Sequence, residues 1–255
     1  MATGAVCSFI TAGTYGEAME TLRVGAAFPD PPFNGMPENT GLDIDLMTAL
    51  AGALGAKVEF VPYEGADFNG IFDALNEGAY DCVAAGTTVT QDRQKNANFL
   101  PPYLISGQAL AVDTGRLPRV RSIDDLDGLI IGVQQGNTSG PIAERLVADG
   151  KAAGIRVYDY GSIRAALTDL RTGGCDCFMK LAPVLTELVK PLPGVEVVQR
   201  GISVEDIAIA VAPEDQGMLG RLSVAQAELE EDGTLQRIRR KWLGNPYADQ
   251  NLAVH

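Results

Sequence analysis

The chain reads as an α/β protein built from two Rossmann-like lobes joined by a two-strand hinge. Three observations predict this. The pattern Leu-x-x-Gly-x-x-Asp-Cys occurs twice, at Leu75–Cys82 and again at Leu170–Cys177, each time ending a helix-like stretch and opening a short apolar strand. A strand–helix–strand–helix–strand rhythm surrounds each copy, which indicates parallel sheets with helices on their faces. After the second set, one more apolar strand and a long amphipathic helix still need somewhere to pack. The chain therefore returns to the first lobe and crosses between the lobes twice. Two lobes imply a cleft.

The elements follow in order. Thr21–Ala26 is a short apolar strand, and the Pro-rich turn Pro29–Phe33 ends it. From Asp43 to Leu54, Ile44, Leu46, Met47, Leu50, Ala51 and Leu54 recur at helical spacing, with Gly55 as the stop. Lys57–Pro62 alternates as a strand, Phe68–Glu77 is the second helix, and Asp81–Ala85 the next strand. In each copy of the repeated pattern the Gly allows the left-handed turn that stops a helix, and the Asp sits before the strand. Asn98–Gly107, with Pro101-Pro102, reads as a loop and Gln108–Val112 as an extended apolar segment. Ser122–Gly128 is a short capped helical turn, Leu129–Val133 a buried strand, and Gln134–Gly140 a loop. Pro141–Asp149 is a helix with Ser139 or Thr138 near its N-cap. Arg156–Tyr160, Ile163–Thr172 and Cys177–Met179 repeat the rhythm. Val195–Arg200 and the apolar strand Asp206–Ala212 follow, then a helix over Gln216–Glu231, a break at Gly233, and a basic turn Arg237–Trp242.

Composition narrows the function. The 255 residues suffice for two medium domains with real cores. With 20 Lys+Arg against 33 Asp+Glu, the net charge is −13, which opposes nucleic-acid binding and adsorption to anionic membranes. The cysteines are Cys7, Cys82, Cys175 and Cys177; they read as small buried hydrophobes, and with His255 the lone histidine, zinc is not expected. No apolar run reaches ~18 residues, so no membrane span is expected. Residues 1–20 lack Lys and Arg and read as a leader or tag remnant, poorly ordered, and Cys7 fits a lipid-attachment box poorly.

In open parallel sheets, ligands bind beyond the carboxyl ends of strands. Four such ends are candidates: Ala26–Phe33, Ala85–Arg93, Gln134–Gly140 and Lys180–Pro183. The second carries hydroxyls, a Gly and Arg93, whose planar fork matches a carboxylate; the alternative is a surface Arg93 capped by Asp92. The third places a Gly-containing loop before a helix N-terminus, an anion site or simply a capped turn. It lacks the Lys-Ser/Thr of a phosphate loop. There is no Gly-x-Ser-x-Gly and no internal histidine, so no catalytic set stands out. Together these ends favour a small carboxylate held between lobes.

The ordered motifs resemble one family, the extracytoplasmic solute-binding proteins, family 3, of ABC transporters for polar amino acids. Leu22-Arg23-Val24-Gly25 with Pro31-Pro32-Phe33 resembles its opening strand and turn, and Gly41–Leu46 its Gly-Phe-Asp-Val-Asp-Leu motif. Asp67–Ile71, Ala85–Arg93, Pro102-Tyr103, Ser106-Gly107, Leu126–Gly128 with Ile131–Val133, Asp232–Leu235 and Lys241–Gly244 follow in order. The resemblance implies a type II periplasmic binding protein of the Venus-flytrap kind. Lobe 1 would be 21–103 plus 207–247, lobe 2 107–204, the hinge 104–106 and 205–206, and 248–255 a tail. It implies an extracytoplasmic or periplasmic location, a monomer, no cofactor, and an ABC transporter permease as partner, recognising the form closed by hinge motion. Residue by residue, Arg93 would pair with the ligand carboxylate, Thr88 and the Gly86 carbonyl would add hydrogen bonds, and Phe68 would form an apolar wall. Thr138, with Asn137 and Gln134 of the same loop, would approach from the second lobe.

Three positions depart from the family pattern. The Asp that usually grips an α-ammonium is Leu181 here, with Lys180 beside it; the aromatic before Pro-x-Phe is Asp30; and a commonly polar pocket position is Ala27. Breaking a buried ion pair costs ~3–5 kcal/mol, at least a hundredfold in affinity, so an α-amino acid whose ammonium finds no other carboxylate binds poorly. The expected ligand is a carboxylate that is not a standard α-amino acid. Lys180 either adds a second cationic contact, for a dicarboxylate or other organic acid, or faces solvent, or pairs with Asp30 across the cleft. Alternatively, Asp30 takes the ammonium of a differently placed zwitterion. A receptor, not an enzyme, is expected. The alternatives are a cyclohexadienyl dehydratase-like enzyme on the same scaffold, which needs a placed acid that Leu181 does not offer, and a sensor domain of a membrane receptor.

Overall fold

The computed structural model describes residues 20–35 and 39–244. In the first lobe, β1 (Thr21–Ala27) is almost wholly buried because β2 (Lys57–Tyr63) and β3 (Cys82–Val83) run parallel to it on either side. The connections carry α1 (Leu42–Ala53) and α2 (Gly70–Asn76). Then come β4 (Asn98–Phe99), β5 (Leu104–Ser106) and β6 (Gln108–Asp113). The second lobe continues with β7 (Ile130–Gln134), α3 (Ser139–Ala148), β8 (Gly154–Tyr158), α4 (Ile163–Thr172), β9 (Cys177–Leu181), α5 (Ala182–Val189) and β10 (Val195–Gln199). The chain returns through β11 (Glu205–Ile207) and β12 (Ala210–Val211) to α6 (Gln216–Glu231) and α7 (Thr234–Leu243).

One sheet has the order β2-β1-β3-β12-β4, the other β10-β6-β9-β7-β8, and β5 pairs with β11 between them. That antiparallel pair, Glu205↔Ser106 to Ile207↔Leu104, is the two-strand link. The sheets are mixed, which corrects the all-parallel expectation. The strands that leave and re-enter the link, β6 and β12, run antiparallel to their neighbours because they enter the sheets from the cleft side. Each sheet is covered on both faces. Leu46, Leu50, Leu222 and Leu235 pack on one face of the first, and Phe68, Ile71, Phe72 and Leu75 on the other.

The repeated sequence pattern is one joint used twice. Gly78 (φ +79°) and Gly173 (φ +93°) take the left-handed conformation that ends α2 and α4. The Asp81 carboxylate accepts from the Arg23 N–H at 2.8 Å, and Asp176 from the Ile130 N–H at 2.9 Å. Each Asp therefore staples its strand to the start of the neighbouring parallel strand, whose register is Val24↔Cys82 in one lobe and Ile131↔Cys177 in the other. An Arg closes each joint, Arg23 at 2.6 Å and Arg116 at 3.5 Å.

Several expected elements differ. Asn98–Gly107 contains β4 and β5 rather than being all loop, and Asp206–Ala212 is split into β11 and β12 where the chain passes from the link into the first sheet. The strand expected at Arg156–Tyr160 starts earlier, and Tyr160 opens a 3-10 turn instead. The strand expected at Cys177–Met179 runs on to Leu181, and at that end α5 begins directly at Ala182, with Pro183 in its first turn, where a missing N–H costs nothing. The basic turn Arg237–Trp242 is helical, part of α7, with Leu235 and Ile238 on its buried face. Cys82, Cys175 and Cys177 are free and buried, and burial pushes the Cys82 and Cys177 thiols up. No group of His, Cys, Asp and Glu among the described residues is placed to hold a metal ion, and no described helix is long and apolar enough to cross a membrane. The expectations for 1–20 and 248–255 fall, apart from Glu20, outside the described residues.

Candidate functional site

The loops after β1, β3 and β7 and the end of β9 converge on a cavity of about 30 Å³ between the lobes, lined by Asp30, Phe68, Gly86, Thr88, Arg93, Gln108, Asn137, Thr138, Lys180 and Leu181, with Ala85. A larger cavity of about 470 Å³ adjoins it through Arg93, Asn137 and Thr138. The smaller one holds the convergent charges and is the candidate site. All the expected site residues but Gln134 line the inner cavity, and Gln134 lines the outer one.

Arg93 is buried in the first turn of a short 3-10 segment. It is not capped by Asp92, which pairs with Lys95 instead. Its Nη1 donates to the Thr88 carbonyl (2.9 Å), Nε to Asn69 Oδ1 (3.1 Å), and Nη2 crosses the cleft to the Gly136 carbonyl (3.0 Å). The guanidinium lies over the Phe68 ring at 4.9 Å and near Phe72 at 5.6 Å. Phe68 is thus a wall for Arg93 as well as for the cavity. Burial lowers the Arg93 pKa to about 10, against the attraction of Glu205, so the group stays charged at neutral pH. Among the described residues no carboxylate pairs with it.

Lys180, expected on the same side as a ligand contact, as a solvent-facing charge or as a partner of Asp30, pairs with Asp30 at 3.1 Å. Its ammonium also donates to Gln134 Oε1 (2.8 Å) and lies 5.4 Å from the Tyr160 ring centre. The Tyr160 hydroxyl donates to the other Asp30 oxygen at 3.0 Å, and Gln134 Nε2 to the Tyr160 carbonyl. Gln134 therefore props Lys180 behind the cavity. Asp30 follows β1 and Lys180 lies on β9, so this buried cluster joins the lobes.

The link strand contributes a residue that the sequence reading missed. The Glu205 carboxylate accepts from Thr88 Oγ1 (2.6 Å) and Thr138 Oγ1 (2.9 Å) on one oxygen, and from Gln108 Nε2 (3.0 Å) and Ser203 Oγ (2.7 Å) on the other. Thr138 sits at the N-cap of α3, yet its hydroxyl makes no capping bond. A signal existed: residues two apart in a strand share a face, so Glu205 lies on the same buried face as Ile207. The lobes also meet through backbone, Tyr160 N–H to the Ala66 carbonyl (2.6 Å) and Phe68 N–H to the Gln135 carbonyl (3.2 Å). Gly136 (φ +77°) is required there, because a Cβ would lie 2.8 Å from the Phe68 nitrogen and against Asp67.

Gly86 is fixed from behind by Asp43, fully buried in the first turn of α1. This carboxyl accepts from the Tyr103 hydroxyl (2.6 Å), the Gly86 N–H (2.8 Å) and Asn34 Nδ2 (2.9 Å). Burial pushes its pKa up to about 6, and the three donors only partly offset that. A carboxyl raised in the folded state binds its proton more tightly there than in the unfolded chain. Its contribution to stability is thus full in acid and lost as the pH rises through about 6. Between about pH 4 and 6, unfolding free energy should fall by about 2 kcal/mol more in the wild type than in Asp43→Asn. Parallel urea titrations across that range measure the difference, and equal slopes would refute it.

The family profile described as bacterial extracellular solute-binding proteins, family 3, matches residues 22–245. The chain is 27% identical over 251 residues to ABC transporter arginine-binding protein 1 of Escherichia coli (strain K12), covering 93% of this chain and 97% of that protein. Among solved structures it is similar to an ancestral arginine-binding protein bound to arginine, with 37% identity, a TM-score of 0.79, and 88% and 98% of the two chains covered. It is also similar to the ancestral amino acid-binding protein AncCDT-1, a precursor of cyclohexadienyl dehydratase, with 32% identity, a TM-score of 0.77, and 87% and 95% covered. The two-lobed architecture is that of the type II periplasmic binding proteins.

Proposed function

Because the chain belongs to the bacterial extracellular solute-binding proteins, family 3, we propose that it is the receptor of an ABC importer for a small carboxylate that is not a standard α-amino acid. It would act outside the cytoplasmic membrane as a monomer, with residues 21–103 plus 207–247 and residues 107–204 as lobes that close on the ligand for a permease. One observation carries this reading: Arg93 is a buried cation with which no carboxylate of the described residues pairs directly. An acid at that place restores charge balance in a low-dielectric cleft, where a charge-assisted bond is strongest. The N-terminus of α3, at Thr138, favours the same negative charge.

An α-ammonium is poorly served. Leu181 is apolar, Asp30 is paired with Lys180, and Glu205 already accepts from four donors, about the full capacity of a carboxylate. Of the charges in the cavity lining, Lys180 is paired with Asp30, and Arg93 feels only the more distant attraction of Glu205 behind Thr88 and Thr138. The same facts weigh against a dehydratase, which needs a carboxyl free to transfer a proton. Mass spectrometry of small molecules released from the denatured protein, followed by calorimetry, tests the reading. Recovery of an organic acid that binds at least about a hundredfold tighter than any of the common amino acids is expected. Tight binding of a common amino acid would sink it.

A further inference from the structure

We propose that Glu205 is a positioning residue that makes the site select a carboxylate carrying a neutral hydrogen-bond donor, a 2-hydroxy acid, over the same acid without the hydroxyl. This rests on the reading of the site as a carboxylate receptor. A hydroxyl has a single proton to give. Thr88 Oγ1 directs its proton to Glu205 at 2.6 Å, and Thr138 Oγ1 directs its own there at 2.9 Å. A ligand carboxylate can then receive no proton from either side chain; it is left to Arg93 and to the N–H groups at the start of α3. What the Thr88 hydroxyl offers the cavity is its lone pairs.

Gln108 gives independent support. Its Nε2 lies between Thr138 Oγ1 and Glu205 Oε1, both at 3.0 Å. Turning the amide over would set its oxygen against the Glu205 carboxylate, so the carboxylate fixes the orientation. The remaining atom, Oε1, is buried with no partner, and Gln108 lines the cavity. A buried acceptor without a donor costs free energy that a ligand hydroxyl would recover. Glu205 thus turns residues of three segments, Thr88, Gln108 and Thr138, into an acceptor surface beside a cationic one. With no carboxylate free for an ammonium, the donor that fits is neutral.

The test uses three probes with one carbon skeleton, sodium L-lactate, sodium propionate and L-alanine, titrated by calorimetry into the full-length protein. In the wild type, L-lactate should bind about tenfold or more tightly than propionate. In Glu205→Gln, the new NH₂ group donates into the network and reverses some of those bonds. The lactate-to-propionate ratio should then fall to about twofold or less, as it should in Thr88→Val, which removes the acceptor itself. A merely structural role would weaken both acids alike and leave the ratio standing. Equal wild-type affinities for the two acids, no binding of either, or a ratio that survives Glu205→Gln would overturn the proposal. L-alanine binding most tightly would overturn the proposed function, a receptor for an acid that is not a standard α-amino acid, and the hydroxyl preference with it.

Discussion

Arg93→Met should reduce the affinity for the molecule recovered from the wild-type protein by at least about a hundredfold, because a buried charge pair is lost at ~3–5 kcal/mol. Methionine keeps much of the length and the contact with Phe68 and Phe72 but neither the charge nor the fork. The ligand carboxylate would then enter a cleft whose nearest cation, Lys180, already has Asp30. Arg93→Lys should recover only part of the loss. An ammonium is a point charge, and it cannot reach the Thr88 carbonyl, Asn69 Oδ1 and the Gly136 carbonyl at once while facing a carboxylate. Folding should suffer less than binding. The substitution removes a costly desolvated cation even as it leaves three acceptors short of a donor. Calorimetry on both variants, with the thermal midpoint as a control for folding, separates the effects. Affinity within threefold of the wild type in Arg93→Met would remove the basis of the carboxylate assignment.

Arg93, Gly86 and Thr88 were legible because they belong to one contiguous segment behind a recognisable buried strand. The same holds for Thr138, which stands where a loop gives way to α3. Their chemistry is local, and so was the reasoning. The paired Leu-x-x-Gly-x-x-Asp-Cys joints were legible for the same reason, since each is a helix stop and a strand start within a few residues. Glu205 was not, because its meaning comes from Thr88, 117 residues away in sequence, and from Gln108 and Thr138 in the other lobe. Helix α5 escaped because no loop separates it from β9 and a Pro stands in its first turn. Helix α7 escaped because its charges hide a narrow apolar stripe. Arg239 pairs with Glu230, and Lys241 with Asp45, so the helix is held by its neighbours more than by its own pattern.

Asp30→Asn should shift the lobes toward the open form by a factor of about 10²–10⁴, since it leaves Lys180 buried without its counter-ion at ~3–5 kcal/mol. Lys180 is 3% exposed and would retain only neutral partners, Gln134 Oε1, the face of Tyr160 and the new amide oxygen. The cost need not be met by unfolding. Asp30 follows a strand of the first sheet and Lys180 lies on a strand of the second, so a hinge movement alone lets water reach the ammonium. The radius of gyration from small-angle scattering should therefore rise with little change in the thermal midpoint. Removing the cation as well, in Asp30→Asn with Lys180→Met, leaves a neutral contact with no buried charge to hydrate, and compactness should return. Such recovery is the mark of coupling between the two sites, and independent effects would simply add. The pair also discriminates between ligands: an acid that lost affinity in Asp30→Asn only through opening would regain it in the double variant. A zwitterion whose ammonium needed Asp30 would not. If the single variant stays as compact as the wild type, the Asp30–Lys180 contact does not hold the lobes together.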